Sequence, residues 1–275
     1  MILLIAAVFC LGTIRGKESP RAAEEIERKS YAAKIHETYN FAFGKDDISS
    51  PGNAAVEGKD FLPASAYPDA AYCGHCHQES YHEWRQALHS NSFRTPFYRT
   101  SVNILIRTKG IEFARHCDSC HNPIGVLSGG LTQESIVDRK FDQDGLTCTT
   151  CHSIQKIQAT IGNGAYVMGV PAVMTDASGK RIPGEVPYAE ILAHPDWHAK
   201  AVMQPFYRTP EFCAACHKAN LPTPLNGYKW IRAFTAYDEW QQSKFSQRNP
   251  LTFYTANFIP CQGCRTKRHD RSAGN

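Results

Sequence analysis

The pentapeptide Cys-x-x-Cys-His occurs four times in the chain: Cys73-Gly-His-Cys76-His77, Cys117-Asp-Ser-Cys120-His121, Cys148-Thr-Thr-Cys151-His152 and Cys213-Ala-Ala-Cys216-His217. Two thiols at this spacing can add across the vinyl groups of one porphyrin, and the adjoining histidine is then carried to the iron. With 11 cysteines and 12 histidines in 275 residues, chance would supply only roughly 0.02 such pentapeptides in the whole chain. The pattern predicts four covalently attached c-type haems. Cys73, Cys76, Cys117, Cys120, Cys148, Cys151, Cys213 and Cys216 are the attachment thiols, and His77, His121, His152 and His217 the proximal iron ligands. A structural zinc site wants two Cys pairs or a distant histidine pair, not a histidine fused to every second cysteine. Consecutive repeats with fixed histidines are no disulfide framework either.

Eight histidines remain: His36, His75, His82, His89, His116, His194, His198 and His269. His89 trails Trp84 by five positions, His116 abuts the second motif, and His198 sits one turn into a helix that Pro195 starts. These three are the expected distal ligands, with a propionate or backbone hydrogen bond as the alternative role. His36, His82 and His194 rank after them. His75 lies inside an attachment loop and His269 in a charged tail, so neither is expected on an iron. Apart from Met1 there are only Met168, Met174 and Met203, which favours bis-histidine over His/Met ligation and hence low potentials.

Eight of the 11 cysteines fall in the four motifs, about one haem per 70 residues. A core so crowded is built from porphyrin as much as from side chains. The expected fold is mainly α with long loops, short helices wrapped around a haem stack, and one small β-hairpin. That hairpin is read from Ile154, Ile157, Ile161, Tyr166 and Val167 flanking Asn163-Gly164. A helix is expected from Gln78 to Phe93, another short one between Leu131 and Phe141, and a pair split at His194 by Pro195. Residues 18–71 read as a helix followed by a Gly/Pro-rich linker, 72–264 as the cytochrome domain and 265–275 as a basic tail. The net charge of +4 is too small, and the Lys and Arg residues too scattered, to argue for nucleic acid. Covalent haem attachment takes place outside the cytoplasm, so a periplasmic location and an export signal are expected. The apolar run Ile2–Ile14 is right for a signal peptide and short for a membrane span. No basic residue precedes it and no Ala-x-Ala site follows, which leaves 1–17 as a signal peptide or an N-terminal membrane anchor.

The segment Cys73-Gly-His-Cys-His…Tyr81…Trp84-Arg-Gln-Ala-Leu-His89 resembles the first-haem region of the cytochrome c-554 / c-prime family, as Gly145-Leu-Thr-Cys148-Thr-Thr-Cys-His resembles another of its attachment sites. Pro210-Glu-Phe-Cys213-Ala-Ala-Cys-His-Lys218 looks like the fourth-haem site of longer relatives. The resemblance implies that His89 is a distal ligand, that haems stack in parallel and perpendicular pairs, and that the chain transfers electrons in the periplasm. It also implies nitrogen-compound chemistry in some relatives. One departure stands out. Cys261-Gln-Gly-Cys264-Arg265 sits where a fifth motif would fall, and Arg265 stays protonated with no lone pair to offer an iron. A defective fifth site is the expectation.

Three functions compete. An electron carrier needs redox partner proteins but no catalytic residue beyond the iron ligands. A haem enzyme acting on a small nitrogen or sulfur compound would need one haem with an open axial position. A subunit of a larger assembly would dock through the aromatic segment Asn220–Tyr254, whose rings alternatively cover the fourth haem.

Overall fold

The structure is a computed structural model, and it describes residues 47–58, 60–131, 140–221, 225, 231–246 and 258–265. The segments expected to form the leader or anchor at 1–17 and the helix that follows it lie outside the described residues, as do His36, His269, most of the helix expected between Leu131 and Phe141, and the tail beyond 265.

The chain begins with a short strand, β1 (Ala55–Val56), and then builds each attachment motif on or beside a short helix. α1 (Ala70–Gly74) carries Cys73, and Asp69 caps it by accepting the Tyr72 N–H at 2.7 Å. α2 (Gln78–Gln86) follows the first motif directly. α3 (Pro96–Lys109) starts with proline, whose missing N–H costs nothing in a first turn, and stops at Gly110 with φ 107°. α4 (Ile111–His121) holds the second motif in its last turns. Asn122 closes α4, and its side chain caps α5 (Pro123–Leu127) by accepting the Gly125 N–H. α6 (Cys148–His152) is the third motif itself, capped by Thr147. Cys-x-x-Cys-His wound as a helix puts residues three and four apart on one side, so both thiols and the imidazole share a face.

Two hairpins follow. β2 (Ile154–Ile157) pairs antiparallel with β3 (Tyr166–Met168), and β1 adds to the far side of β3 in parallel, with Val56 opposite Met168. The hairpin expected from Asn163-Gly164 is present, as an eight-residue loop rather than a two-residue turn. β4 (Ala172–Thr175) and β5 (Arg181–Pro183) form a second hairpin, closed by Asp176, whose carboxylate accepts the N–H groups of Ser178 and Lys180 at 2.9 Å each. A third antiparallel pair, β6 (Ala219–Leu221) and β7 (Ile231–Phe234), follows the fourth motif. The expectation of a single hairpin is thereby corrected: the further strands are short edge pieces set by local turns such as that at Asp176.

α7 (Tyr188–Ala193) and α8 (Pro195–Val202) are separated at His194, as Pro195 requires. α9 (Pro210–Ala214) bears Cys213, α10 (Ala236–Gln242) covers it, and α11 (Cys261–Arg265) comes last. The apolar core of Val56, Phe61, Ile111, Ile124, Leu127, Ile154, Tyr166 and Met168 lies between the first sheet and α4–α5. The second, third and fourth motifs grow from its edges.

The helix expected over Gln78–Phe93 ends at Gln86. Ala87 turns extended (φ −77°, ψ 156°), and the Ser90 hydroxyl bonds the carbonyls of Arg85 and Ala87 at 2.9 and 3.0 Å. Trp84 Nε1 meanwhile donates to Leu146 O at 2.7 Å. Side-chain bonds to the backbone and this anchor outcompete a further helical turn. His89 therefore stands on a turn, not on a helix.

Candidate haem centres

None of the described cysteines is in a disulfide, so the eight motif thiols are free for thioether bonds. Burial pushes the thiols of Cys117, Cys151 and Cys213 up to about 12. The thiols also lie against one another in pairs. Cys73 shares a hydrogen bond with Cys148, which together with burial holds Cys73 well above the usual thiol range. Cys120 and Cys216 are paired in the same way. The first and third motifs are thus neighbours, as are the second and fourth.

Two pairs of imidazoles face each other across the fold. His77 and His198 have ring centroids 6.2 Å apart at 20°, and His89 and His217 lie 5.8 Å apart at 70°. Two imidazoles bound through Nε2 on opposite sides of one metal, with metal–nitrogen lengths near about 2 Å, would hold their centroids about 6 Å apart. Both pairs fit a shared iron. Each joins a proximal motif histidine to one expected as a distal ligand.

The ring orientations agree. His198 Nδ1 meets Val173 O at 2.6 Å, His121 Nδ1 meets Ser92 O at 2.9 Å and His152 Nδ1 meets Val202 O at 2.6 Å. A carbonyl at Nδ1 fixes the proton there and leaves the Nε2 lone pair for a metal. Burial also holds His121 and His152 below the ordinary histidine value, which favours the neutral, ligating form. Tyr98 stacks on His121 at 3.8 Å and 7°, its hydroxyl donating to Asp118, so the ring of the second motif is fixed on its face as well.

His116 is placed otherwise. It is 5% exposed, with Nε2 at 2.8 Å from Asn220 O and Nδ1 at 3.4 Å from Pro51 O. With Nε2–H donating to Asn220 O, the neutral ring ties α4 to the segment that follows the fourth motif. Adjacency to the second motif suggested ligation, whereas Nε2, the nitrogen a haem iron would take, is engaged by Asn220 O. His194 stacks on Trp197 at 4.0 Å, and His82 lies edge-on to Tyr81 at 5.8 Å.

Two further devices hold these rings, an arginine that nothing in the sequence singles out and the glycine of the Gly145-Leu-Thr-Cys148 element. Arg181 donates to Val170 O and Ala201 O at 2.7 Å each and to His152 O at 3.3 Å, joining the third motif to the end of α8. Gly145 has φ +55°, and a Cβ there would stand 2.7 Å from His89 O. Leu146 N–H donates to that same carbonyl at 3.0 Å. The turn bearing His89 is thus set by the approach to the third motif. The hairpin loop plays a like part for the fourth motif. Asn163 N–H and Gly164 N–H donate to Lys218 O and Ala215 O at 3.1 and 2.8 Å, and a Cβ on Gly162 would meet Lys218 O at 1.8 Å. Beside the His89–His217 pair, Leu88 is 81% and Phe234 46% exposed, apolar surface of the kind a porphyrin face needs.

Gln262 Nε2 donates to Tyr207 O and Thr209 O at 2.8 Å each, and this docks α11 beside α9 with the Cys261 thiol near that of Cys213. No helix of the described residues is long and apolar enough to cross a membrane.

Residues 72–153 match the family described as cytochrome c554 and c-prime. The structure is similar to a penta-heme cytochrome c552 from Thermochromatium tepidum, with a TM-score of 0.45 and 16% identity, covering 74% of this chain and 54% of that one. The chain thus spans about half the length of that protein. No curated protein matches the chain. The matched segment contains the first three attachment motifs with the Trp84…His89 and Gly145-Leu-Thr-Cys148 elements, and over these residues the chain is similar to the cytochrome c554 and c-prime family, which supports covalently bound haem c.

Proposed function

We propose that the protein is an electron carrier holding four haems c, and that it works outside the cytoplasm, where thioether attachment takes place. The chemistry that bound haem supplies is a reversible one-electron iron couple. The observation that carries the reading is the pairing of His77 with His198 and of His89 with His217, because bis-histidine positions exchange electrons without admitting a substrate. Paired thiols at Cys73/Cys148 and Cys120/Cys216 bring the first and third attachment sites together, and likewise the second and fourth, so that electrons can pass between the centres of each pair. The carbonyls of Ser92, Val173 and Val202 keep their imidazoles oriented, and Arg181 braces the third site. Cys261 and Cys264 add no fifth centre in this reading, since Arg265 follows them.

Intact mass and a pyridine haemochrome assay on the purified protein should return four haems per chain, and fewer than three would contradict the proposal. Neither carbon monoxide on the reduced form nor cyanide on the oxidised form should shift the Soret band of the haems at His77 and His217. A shift of the whole spectrum would mark open axial positions and favour a haem enzyme acting on a small nitrogen or sulfur compound.

A further inference from the structure

His89 and Ser92 close one turn, in which Ser92 N–H donates to His89 O at 3.2 Å. The two residues serve different centres. His89 faces His217 of the fourth motif across 5.8 Å. Ser92 grips His121 of the second motif at two points. Its carbonyl accepts the His121 Nδ1–H at 2.9 Å, and its hydroxyl donates to His121 O at 2.9 Å. The attachment thiols Cys120 and Cys216 of these same two motifs are hydrogen-bonded to each other. One short turn thus carries the imidazole that would oppose His217 on the fourth iron and the clamp on the proximal ligand of the second.

The turn is held too tightly to absorb a displacement at either end. Leu146 N–H also donates to His89 O, at 3.0 Å, and Gly145 lies against the turn. A Cβ on Gly145 would stand 2.5 Å from Ser92 Oγ and 2.7 Å from His89 O. Asn91 Nδ2 donates to Ala87 O at 3.2 Å and Thr95 Oγ1 to Asn91 O at 2.8 Å, which ties the turn to the chain on both sides. Tyr98, stacked on His121 at 3.8 Å, keeps that ring from swinging away. The carbonyl bond at Nδ1 is the contact that responds to the iron. An imidazole on ferric iron gives up more electron density than one on ferrous iron, so its N–H donates more strongly and draws Ser92 O closer. A rigid link from that carbonyl to His89 passes the change to the fourth centre, and linkage makes the effect reciprocal.

We propose that the His89–Ser92 turn couples the second and fourth haems, with Ser92 as the positioning residue between them. One electron added to either iron, taking it from ferric to ferrous, shifts the midpoint of the other, and no covalent bond is made or broken. The proposal rests on the electron-carrier reading and adds to it a specific pair of interacting centres.

The test is a stepwise titration of the haem-loaded protein with dithionite, followed by visible and electron paramagnetic resonance spectra. It compares wild type with S92A, S92T and H89A. S92A removes the hydroxyl bond to His121 O and keeps the carbonyl, whereas S92T restores a hydroxyl. S92A should shift two of the haem midpoints, each by about fivefold in its reduction equilibrium, the usual scale of one net hydrogen bond. S92T should bring both back. H89A, cut at the other end of the turn, should make the fourth haem high-spin and shift the midpoint of one further haem. No shift in S92A, a shift of one haem alone, or a common shift of every haem would overturn the coupling and leave the carrier reading intact. A shift in S92A that S92T fails to reverse would assign the effect to loosened packing and overturn the coupling as well. A midpoint change in H89A confined to its own haem would do the same. Failure of dithionite to reduce the wild-type haems would defeat the carrier reading and the coupling with it.

Discussion

The imidazole of His198 stands 6.2 Å from that of His77, its Nδ1 anchored on Val173 O at 2.6 Å. A histidine of α8 and the histidine of the first motif, far apart in sequence, are thus brought to a spacing at which both would hold one iron. His198→Ala should leave the covalent haem count unchanged, since no attachment thiol is touched. It should convert one haem to a high-spin form that binds carbon monoxide. Electron paramagnetic resonance and the reduced Soret band with and without carbon monoxide would check this; an unchanged low-spin spectrum would remove His198 from the iron.

Gly145 and His89 form the second device. Alanine at Gly145 must adopt a left-handed backbone, at about 1–2 kcal/mol, and its Cβ would press on His89 O, 2.7 Å away. Gly145→Ala should lower stability by at least about that amount in a thermal melt. Because the turn carrying His89 must shift, the haem held with His217 should also gain high-spin character. A melt lowered with no change of spin state would separate backbone strain from ligand placement.

His116→Ala should behave oppositely to a ligand deletion. It removes a buried ring and its bond to Asn220 O, so a loss of about 2–3 kcal/mol is expected. The visible spectrum and carbon monoxide response should not change. A new high-spin signal would return His116 to the set of iron ligands.

The same residue confers a pH dependence. Burial lowers the His116 value from its ordinary 6.5, against the weaker opposing pull of the carbonyls of Pro51 and Asn220. The unfolded chain therefore takes up the proton first as pH falls. The stability this neutral ring supports is complete above about 6.5 and is lost progressively below it. Denaturant melts between pH 7.5 and 5 should show that decline, and His116→Ala should flatten it. An identical slope in wild type and variant would assign the acid sensitivity to other groups.

Arg181 joins His152 O, Val170 O and Ala201 O. Arg181→Met keeps much of the side-chain volume and strands three carbonyls, which should cost about 2–4 kcal/mol. The end of α8 would loosen with it, so the haem between His77 and His198 should become easier to displace with an added ligand such as imidazole. Unaltered ligand exchange would confine Arg181 to a packing role.

The attachment chemistry was legible in the sequence because it depends on short-range spacing. Cys-x-x-Cys-His closes on one helical turn, so each motif can be recognised without knowing the fold. The break at His194 and the loop at Asn163-Gly164 were legible for the same reason, since proline and glycine act on their own backbone. Partnership between sites was decided only in three dimensions. His198 rather than His116 faces a motif histidine because the β4 carbonyl of Val173 orients it, while the Asn220 carbonyl engages His116. Backbone carbonyls are the same at every residue and leave no mark in a sequence. The role of Gly145, the bracing by Arg181 and the pairing of Cys73 with Cys148 likewise follow from segments that meet only on folding.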